Sequence, residues 1–226
     1  MDVVFVHGAG GGAWEWAIWR RVFAAHGVVC RAIELEAAVG GVGATHLGDY
    51  MAQLREFVCR GDANERVLIG ASLGGLLALA VADEVGAAAL VLVNPIPPAP
   101  LAARLPPRAP YPEVIPWRRD ATLASTRRAM PDADDAACAY AFRRWRDESG
   151  AVLNAARAGI EIAPPRARVL VVASRGDEDV PHEVSRELAD TIGAESTTVA
   201  ASHVGPLLGR CAAETAVATL RWLRHR

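Results

Sequence analysis

Short strand-like segments alternate with longer helix-like segments along most of the chain, and this alternation limits the available folds more than any other feature. Six segments have the length and the apolar or β-branched character of strands: 2–6, 28–35, 66–70, 87–95, 167–174 and 195–201. Strands that are apolar on both faces are typical of parallel sheets covered by helices on each side. The pattern therefore predicts an α/β fold with a mostly parallel sheet.

The stretch between residues 95 and 166 breaks this alternation. It contains twelve of the fourteen prolines and two predicted short helices, at about 121–130 and 132–146. A connection of this length is either disordered or a functional insertion, and the aromatic residues in its second half favour packing against the rest of the molecule. We predict a core formed by 1–94 and 167–226, with 95–166 as a proline-rich, helical cap inserted after the fourth strand.

The sequence Gly70-Ala71-Ser72-Leu73-Gly74 lies between the third predicted strand and a predicted helix. This is the G-x-S-x-G pattern in a strand–turn–helix setting, where a sharp turn presents the serine hydroxyl at the carboxyl edge of the sheet. Small residues on both sides of the serine let the backbones pass close together. The setting favours Ser72 as a nucleophile over a serine that merely belongs to a packed glycine turn.

A serine nucleophile needs a base, and the chain contains six histidines. His203 directly follows the last predicted strand, which places it at the same sheet edge as Ser72. His7 also lies at this edge, but it is better placed to support the glycine-rich loop that follows it. The other histidines lie at helix ends or near the terminus, where capping or solvent exposure is the simpler interpretation. We therefore predict that His203 is the base.

A third group must orient the imidazole and stabilise its charged form. The loop after the strand at 167–174 offers Asp177, Glu178 and Asp179. Asp177 lies on the loop as it leaves the strand, whereas Asp179 is placed to cap the helix that follows. The other suitable edge position holds Asn94, which carries no charge. We predict Asp177 as the acid, with Asp179 as the alternative.

The glycine-rich segment HGAGGG, residues 7–12, directly follows the first strand. Acyl transfer requires two hydrogen-bond donors for the oxyanion, and we predict the backbone amides of Ala9 and Leu73 for this role. The rival interpretation is a phosphate-binding loop. The glycine spacing does not fit a dinucleotide site, and no lysine follows as in a P-loop. No cofactor is therefore expected.

The order Ser72, Asp177, His203, together with an HG loop after the first strand, resembles the α/β-hydrolase superfamily over essentially the whole chain. Within it, HGAGGGAWEW (7–16) and LGDYMAQLREFV (47–58) resemble the small plant-type methylesterases and hydroxynitrile lyases and their bacterial relatives. The first strand lacks the antiparallel hairpin that usually precedes it in the superfamily. The resemblance thus implies a minimal sheet of about six strands.

The resemblance also narrows the reaction. A serine at the turn argues against the dehalogenases and epoxide hydrolases of the superfamily, which use a carboxylate nucleophile. The chain has no lysine, which argues against the lysine-assisted hydroxynitrile lyase mechanism. We expect a serine hydrolase that cleaves a small or medium apolar carboxylic ester through an acyl-enzyme on Ser72. A thioesterase, a biosynthetic cyclase or lyase, and a ligand-binding module with an idle triad are the alternatives.

Aromatic residues near the predicted site suggest an apolar acyl or alcohol group in the substrate. We predict substrate contacts from Trp14, beside the oxyanion loop, and Trp117, in the cap. The segment RRWR, residues 143–146, has two interpretations. Its arginines either recognise a carboxylate or carrier phosphate, which would favour a thioester substrate, or form a solvated face.

Composition excludes several other classes of protein. The net charge of −2 gives no reason to expect nucleic acid as a partner. The four cysteines are scattered, so neither a metal site nor a disulfide framework is expected. No apolar run is long enough for a membrane helix, and the N-terminal residues do not form a secretory signal. We therefore expect a small-molecule substrate, no membrane partner and a cytoplasmic location.

Overall fold

The computed structural model describes residues 1–61 and 65–225. Its strands in these ranges are β1 (Asp2–Val6), β2 (Cys30–Ala32), β3 (Arg66–Ala71), β4 (Ala87–Val93), β5 (Val114–Ile115), β6 (Glu148–Ser149), β7 (Arg168–Ser174) and β8 (Glu195–Val199). Six of them form one parallel sheet in the order β2-β1-β3-β4-β7-β8, and β5 pairs with β6 in a small antiparallel sheet. The predicted α/β class, with a parallel sheet of about six strands, is confirmed.

The helices of the described residues are α1 (Ala17–Ala25), α2 (Leu47–Cys59), α3 (Leu73–Val81), α4 (Trp117–Asp120), α5 (Leu123–Ala129), α6 (Asp135–Phe142), α7 (Gly150–Ala158), α8 (His182–Thr191), α9 (Gly205–Leu208) and α10 (Ala212–Arg224). Short 3-10 helices occupy Ala13–Trp16, Val42–Ala44 and Leu101–Arg104. Within this part of the chain, no helix combines the length and the apolar character needed to cross a membrane.

Both faces of the sheet are covered by helices, as the doubly apolar strands require. Alternate residues of each strand point to opposite faces, so Leu68 packs in the layer formed by α2 and α3, while Ile69 packs on the side of α1 and α10. On the second side, Phe5 stacks on Trp16 with ring centroids 4.8 Å apart. Full burial of a leucine, isoleucine or phenylalanine side chain stabilises the fold by about 1.5–3 kcal/mol.

The register of the parallel strands brings their carboxyl ends to one edge. Gly70 pairs with Val6 on one side and Leu92 on the other, and Val93 pairs with Val172. The residues that follow these strands therefore emerge close together, which is the usual place for a ligand site in an open α/β sheet.

Residues 95–166 contain α4–α7 and the small antiparallel sheet. The helices predicted at 121–130 and 132–146 are shorter in the structure, at Leu123–Ala129 and Asp135–Phe142. Sequence analysis missed α7, although Ser149 gave a signal because its side chain caps this helix by accepting a hydrogen bond from the Val152 amide.

The second strand is also shorter than predicted. Only Cys30–Ala32 pairs with β1, in place of the predicted 28–35. This strand lies at the edge of the sheet and has one neighbour. Beyond it the Ile33 amide still donates to the Phe5 carbonyl, but the Leu35 amide donates to the His7 ring and not to the backbone of β1.

Candidate active site

Ser72 lies at the junction of β3 and α3 in a strained backbone conformation. Its φ of 52° and ψ of −118° are unusual for a residue with a side chain. The conformation is held from both sides: the Ser72 amide donates to the Val93 carbonyl at 3.0 Å, and the Ser72 carbonyl accepts from the Ile96 amide at 3.0 Å. Strain that is fixed by neighbouring strands is typical of functional positions.

The glycines around Ser72 are required by close backbone contacts. A Cβ atom on Gly70 would overlap the Gly74 carbonyl, and one on Gly74 would overlap the carbonyls of Val6 and His7. Neither overlap is relieved by moving a flexible side chain, because the contacts are with backbone. The two glycines therefore let α3 start directly against β1 and β3, which exposes the Ser72 side chain at the sheet edge.

His203 and Asp177 meet at the same edge. His203 Nδ1 lies 2.7 Å from Asp177 Oδ2, and the Asp177 side chain is fully buried. The other carboxylate oxygen accepts hydrogen bonds from the amides of Asp179 and Val180, both at 2.9 Å. The Asp179 side chain, by contrast, is about half exposed and points toward Arg108. The structure thus brings Asp177, and not Asp179, to the imidazole.

Two opposing effects act on the pKa of His203. Burial disfavours the charged ring, but the charge of Asp177 and its hydrogen bond favour it, and the net pKa lies above the usual 6.5. The His203 ring and Ser72 line one cavity. No hydrogen bond joins their side chains among the contacts of the described residues, an arrangement that is common before substrate binds.

Asn94 and Asp132 hold the loop that carries His203. The buried Asn94 side chain donates to the His203 carbonyl at 2.7 Å and accepts from the Ser174 amide at 2.8 Å. Asp132 accepts from both the amide and the hydroxyl of Ser202, at 2.8 and 2.6 Å. In the sequence, Asn94 stands out only as an uncharged residue at a strand end, and no pattern singles out Asp132. No local pattern indicates either contact, because each joins residues far apart in the chain.

His7 supports the glycine-rich loop, as the sequence suggested. Its Nδ1 lies 2.8 Å from the Gly8 carbonyl oxygen, and its Nε2 lies 3.0 Å from the Leu35 amide. The amide can only donate, so Nε2 accepts and the proton is on Nδ1. Burial lowers the pKa of His7 to about 4, which keeps the ring neutral and suited to this pair of bonds.

The two predicted oxyanion donors belong to the glycine-rich loop and to the residue that follows Ser72. Ala9 lines the cavity, and Leu73 is the first residue of α3, where helix amides have no partner within the helix. Among the contacts of residues 1–61 and 65–225, neither amide donates a hydrogen bond to a protein group. The role of both amides as oxyanion donors stays a prediction.

Residues of the 95–166 segment fix the glycine-rich loop. The Gly10 amide donates to Glu148 at 2.9 Å, and the Tyr50 hydroxyl donates to the same buried carboxylate at 2.9 Å. Arg146 donates to the Gly11 carbonyl at 2.7 Å and pairs with Glu34 at 2.7 Å. The Arg146 side chain, 36% exposed, thus binds the loop, whereas Arg143 and Arg144 are exposed, as in a solvated face.

A cavity of about 470 Å³ opens above Ser72. Trp117, one of the two predicted substrate contacts, lies in its wall. Trp14 is not among the described residues that line it, and packs behind the wall with its ring centroid 5.3 Å from that of Trp145 and 5.8 Å from that of Tyr140. A contact between Trp14 and a substrate therefore stays a prediction.

Glu15 is a buried acid in the cavity wall that sequence analysis missed. Its side chain is only 4% exposed, and Oε2 accepts a hydrogen bond from the Gly8 amide at 3.1 Å. Burial raises the pKa of this carboxyl to about 7. The available signal was a charged residue between two tryptophans, Trp14 and Trp16, directly after the glycine-rich loop.

No group of three or more potential metal ligands is clustered in the described chain.

Comparisons with solved structures show the same fold in enzymes. A pyrethroid hydrolase from Sphingobium faniae JZ-2 is 17% identical, with a TM-score of 0.77, and the match covers 100% of this chain and 98% of that one. Tomato methylketone synthase I complexed with 2-tridecanone gives 14% identity, a TM-score of 0.76 and the same coverage. A methylesterase from Arabidopsis gives 13% identity and a TM-score of 0.75, with both chains fully covered.

No curated protein matches the sequence. The tomato and Arabidopsis enzymes share the fold of this chain. The model of a family described as the alpha/beta hydrolase family matches residues 3–218. The chain therefore belongs to the alpha/beta hydrolase family.

Proposed function

We propose that the protein is a carboxylesterase-type serine hydrolase, which cleaves a carboxylic ester of a small or medium apolar substrate through an acyl-enzyme on Ser72. One observation carries this proposal: Ser72 lies on a strained turn in a cavity that it shares with His203, whose Nδ1 is 2.7 Å from the buried Asp177. A nucleophile, a base and an orienting acid in this order are the requirements of acyl transfer.

In this mechanism Ser72 Oγ attacks the ester carbonyl while its proton moves to His203 Nε2. The imidazolium, stabilised by Asp177, then gives the proton to the departing alkoxide, which leaves as an alcohol. Water attacks the acyl-enzyme in the same way: His203 takes a proton from water and returns it to Ser72 as the acid is released. The raised pKa of His203 supports this cycle, because it favours the charged intermediate state of the ring.

The negative charge that develops on the carbonyl oxygen is assigned to the amides of Ala9 and Leu73. Both amides are without a protein acceptor among the described contacts, and the loop that carries Ala9 is fixed by Glu148 and Arg146. Donors that are fixed before the reaction stabilise the transition state most, and losing one costs about 100- to 1000-fold in turnover.

The cavity wall supports an apolar substrate. Ile96, Leu153 and Leu207 line it together with the ring of Trp117. Trp117 and Leu153 come from residues 95–166, which supports our proposal that this segment acts as a cap on a core of residues 1–94 and 167–226. The related folds include a pyrethroid hydrolase and a methylesterase, and both names are consistent with ester cleavage.

Covalent labelling with a fluorophosphonate tests the proposal. We expect a single adduct on Ser72 in intact-mass and peptide analysis, and none in Ser72→Ala. Ser125, which lines the same cavity, provides the matched control, since Ser125→Ala should be labelled like the wild type. A folded wild-type protein that takes no adduct on Ser72 would rule out the serine hydrolase mechanism. A series of p-nitrophenyl esters of increasing chain length, run beside acyl-thioesters, then identifies the preferred substrate.

A further inference from the structure

We propose that Glu15 determines specificity by accepting a hydrogen bond from a hydroxyl or ammonium group on the carbon next to the scissile carbonyl. The preferred substrates are then esters of 2-hydroxy or 2-amino acids with an apolar remainder. This inference rests on the proposed ester hydrolysis at Ser72. It adds a recognition site that neither the triad nor the oxyanion donors provide.

The position of Glu15 beside the nucleophile is the first argument. Gly8 lies between the two side chains: a Cβ atom placed on Gly8 would be 3.4 Å from Ser72 Cβ and 4.0 Å from Glu15 Oε2. Glu15, Ser72 and His203 all line the same cavity. A substituent next to the ester carbonyl of a substrate held on Ser72 is therefore within reach of the carboxyl group.

The second argument is an oxygen without a partner. Glu15 Oε2 accepts from the Gly8 amide, but no hydrogen bond from the described residues reaches Oε1. Oε1 is also not fully enclosed by protein, and Glu15 lines the cavity. A buried carboxyl oxygen without a hydrogen bond is costly, and a donor on the bound substrate removes that cost.

The neighbouring cations do not neutralise Glu15 by direct contact. Arg146 uses its guanidinium on the carbonyls of Gly11 and Leu35 and on Glu34. His203 is paired with Asp177. Burial accordingly raises the pKa of Glu15, against the smaller opposing effects of the Gly8 amide, His203 and Arg146, while the negative charge of Glu34 adds to the increase. The carboxyl group is thus placed to receive a donor from outside the protein.

The loop is shaped around this carboxyl group. A Cβ atom on Gly11 would overlap the Glu15 carboxyl carbon and both of its oxygens. Gly11 has no positive φ that would otherwise require glycine. The Glu15 carboxyl group therefore packs directly against the backbone at Gly11.

Three methyl esters of equal size test the proposal: methyl lactate, methyl isobutyrate and alanine methyl ester. They differ only in carrying a hydroxyl, a methyl or an amino group at the 2-position. We expect kcat/KM at pH 7 to be at least about tenfold higher for the lactate and alanine esters than for the isobutyrate, because a site built to bind a donor discriminates against its absence.

Two variants at position 15 separate the charge from the hydrogen bond. In Glu15→Leu both ratios should fall by at least about tenfold, to the difference in the intrinsic reactivity of the esters. In Glu15→Gln the amide oxygen still accepts from a hydroxyl, so part of the lactate preference should remain while the preference for the cationic alanine ester is lost. Asp120, an exposed acid that also lines the cavity, provides the control: Asp120→Asn should leave both ratios unchanged.

Fluorophosphonate labelling of Ser72 is measured on every variant, so that a misfolded protein is recognised. Suppose that Ser72 is labelled. The inference is then wrong, while the hydrolase proposal stands, if the wild-type kcat/KM ratios are close to one. The same holds if Glu15→Leu has the same ratios as the wild type. If wild-type Ser72 takes no label, the hydrolase proposal itself fails. A loss of preference in Asp120→Asn as large as in Glu15→Leu would move recognition to the cavity mouth and also overturn the inference.

Discussion

Two buried ionisable side chains beside the glycine-rich loop respond to pH in opposite directions. His7 has its pKa lowered from 6.5 to about 4, and Glu15 has its pKa raised from 4.5 to about 7, with burial as the largest cause in each case. The lowered pKa of His7 removes stability as the pH falls from about 6.5 to 4. The raised pKa of Glu15 removes stability as the pH rises from about 4.5 to 7. Between pH 4.5 and 6.5 the two effects oppose each other.

Glu15→Gln should therefore change the pH dependence of stability. The unfolded state gives up the Glu15 proton near pH 4.5, whereas the folded state keeps it to about pH 7. Between pH 5 and pH 8, the free energy of unfolding of the variant should thus rise relative to the wild type by about 3 kcal/mol. Urea unfolding at both pH values measures this difference. A difference between the two proteins that does not vary with pH would contradict the raised pKa.

Asp177 and Asp179, the two aspartates of the loop after β7, allow a second prediction about individual residues. Asp177→Asn should lower kcat by about 10⁴-fold, because the buried side chain then no longer holds the required tautomer and charge of His203. Asp179→Asn removes an exposed carboxylate that does not bond to the imidazole and should change kcat by less than about threefold. Steady-state hydrolysis of a p-nitrophenyl ester compares them. The reverse order of effects would assign the acid to Asp179.

At the scale of elements, the ends of β3, β4, β7 and β8 supply Ser72, Asn94, Asp177 and His203 to one edge. Apolar periodicity is a local property, so it predicted these strands and the residues that follow them. The contacts of Asn94 and Asp132 with the His203 loop span 109 and 70 residues of sequence. Asn94 is visible in the sequence as a polar residue at the end of a strand. The structure adds that its backbone has a positive φ of 44°.

Asn94 substitutions test how strongly β4 positions the His203 loop. Asn94→Ala leaves the Ser174 amide and the His203 carbonyl without their side-chain partners, which should cost about 2 kcal/mol of stability and lower kcat more than it changes KM. Asn94→Gly is the matched control for the backbone, since glycine tolerates the positive φ. Chemical denaturation and steady-state kinetics measure both effects. If Asn94→Gly keeps the wild-type kcat, the Asn94 side chain does not position His203.

At the scale of the whole molecule, residues 95–166 contribute directly to the geometry of the candidate site. Glu148 and Arg146 bind the glycine-rich loop, and Asp132 binds the loop that carries His203. Gly10 packs so closely on Trp117 that a Cβ atom there would overlap the ring. Sequence patterns predicted a packed insertion but not these contacts, because Gly10 and Glu148 are 138 residues apart and nothing local to either residue specifies the other.

Glu148→Ala tests whether this insertion positions the oxyanion loop. The substitution removes the acceptor of the Gly10 amide and of the Tyr50 hydroxyl, both in a buried region. The neighbouring Ala9 amide should then be less well fixed, and kcat should fall by about 10- to 100-fold, a fraction of the loss expected when a donor is removed entirely. KM should change much less, because the apolar wall of the cavity is untouched.

The matched control is Glu113→Ala, which removes an exposed glutamate of the same segment and should leave kcat and KM unchanged. Limited proteolysis reports separately on the packing of residues 95–166. If Glu148→Ala increases proteolysis of this segment but keeps wild-type kcat, the segment covers the cavity without positioning the loop. A lower kcat with unchanged proteolysis instead indicates that the contact acts on the oxyanion donors themselves, since the packing of the segment is then intact.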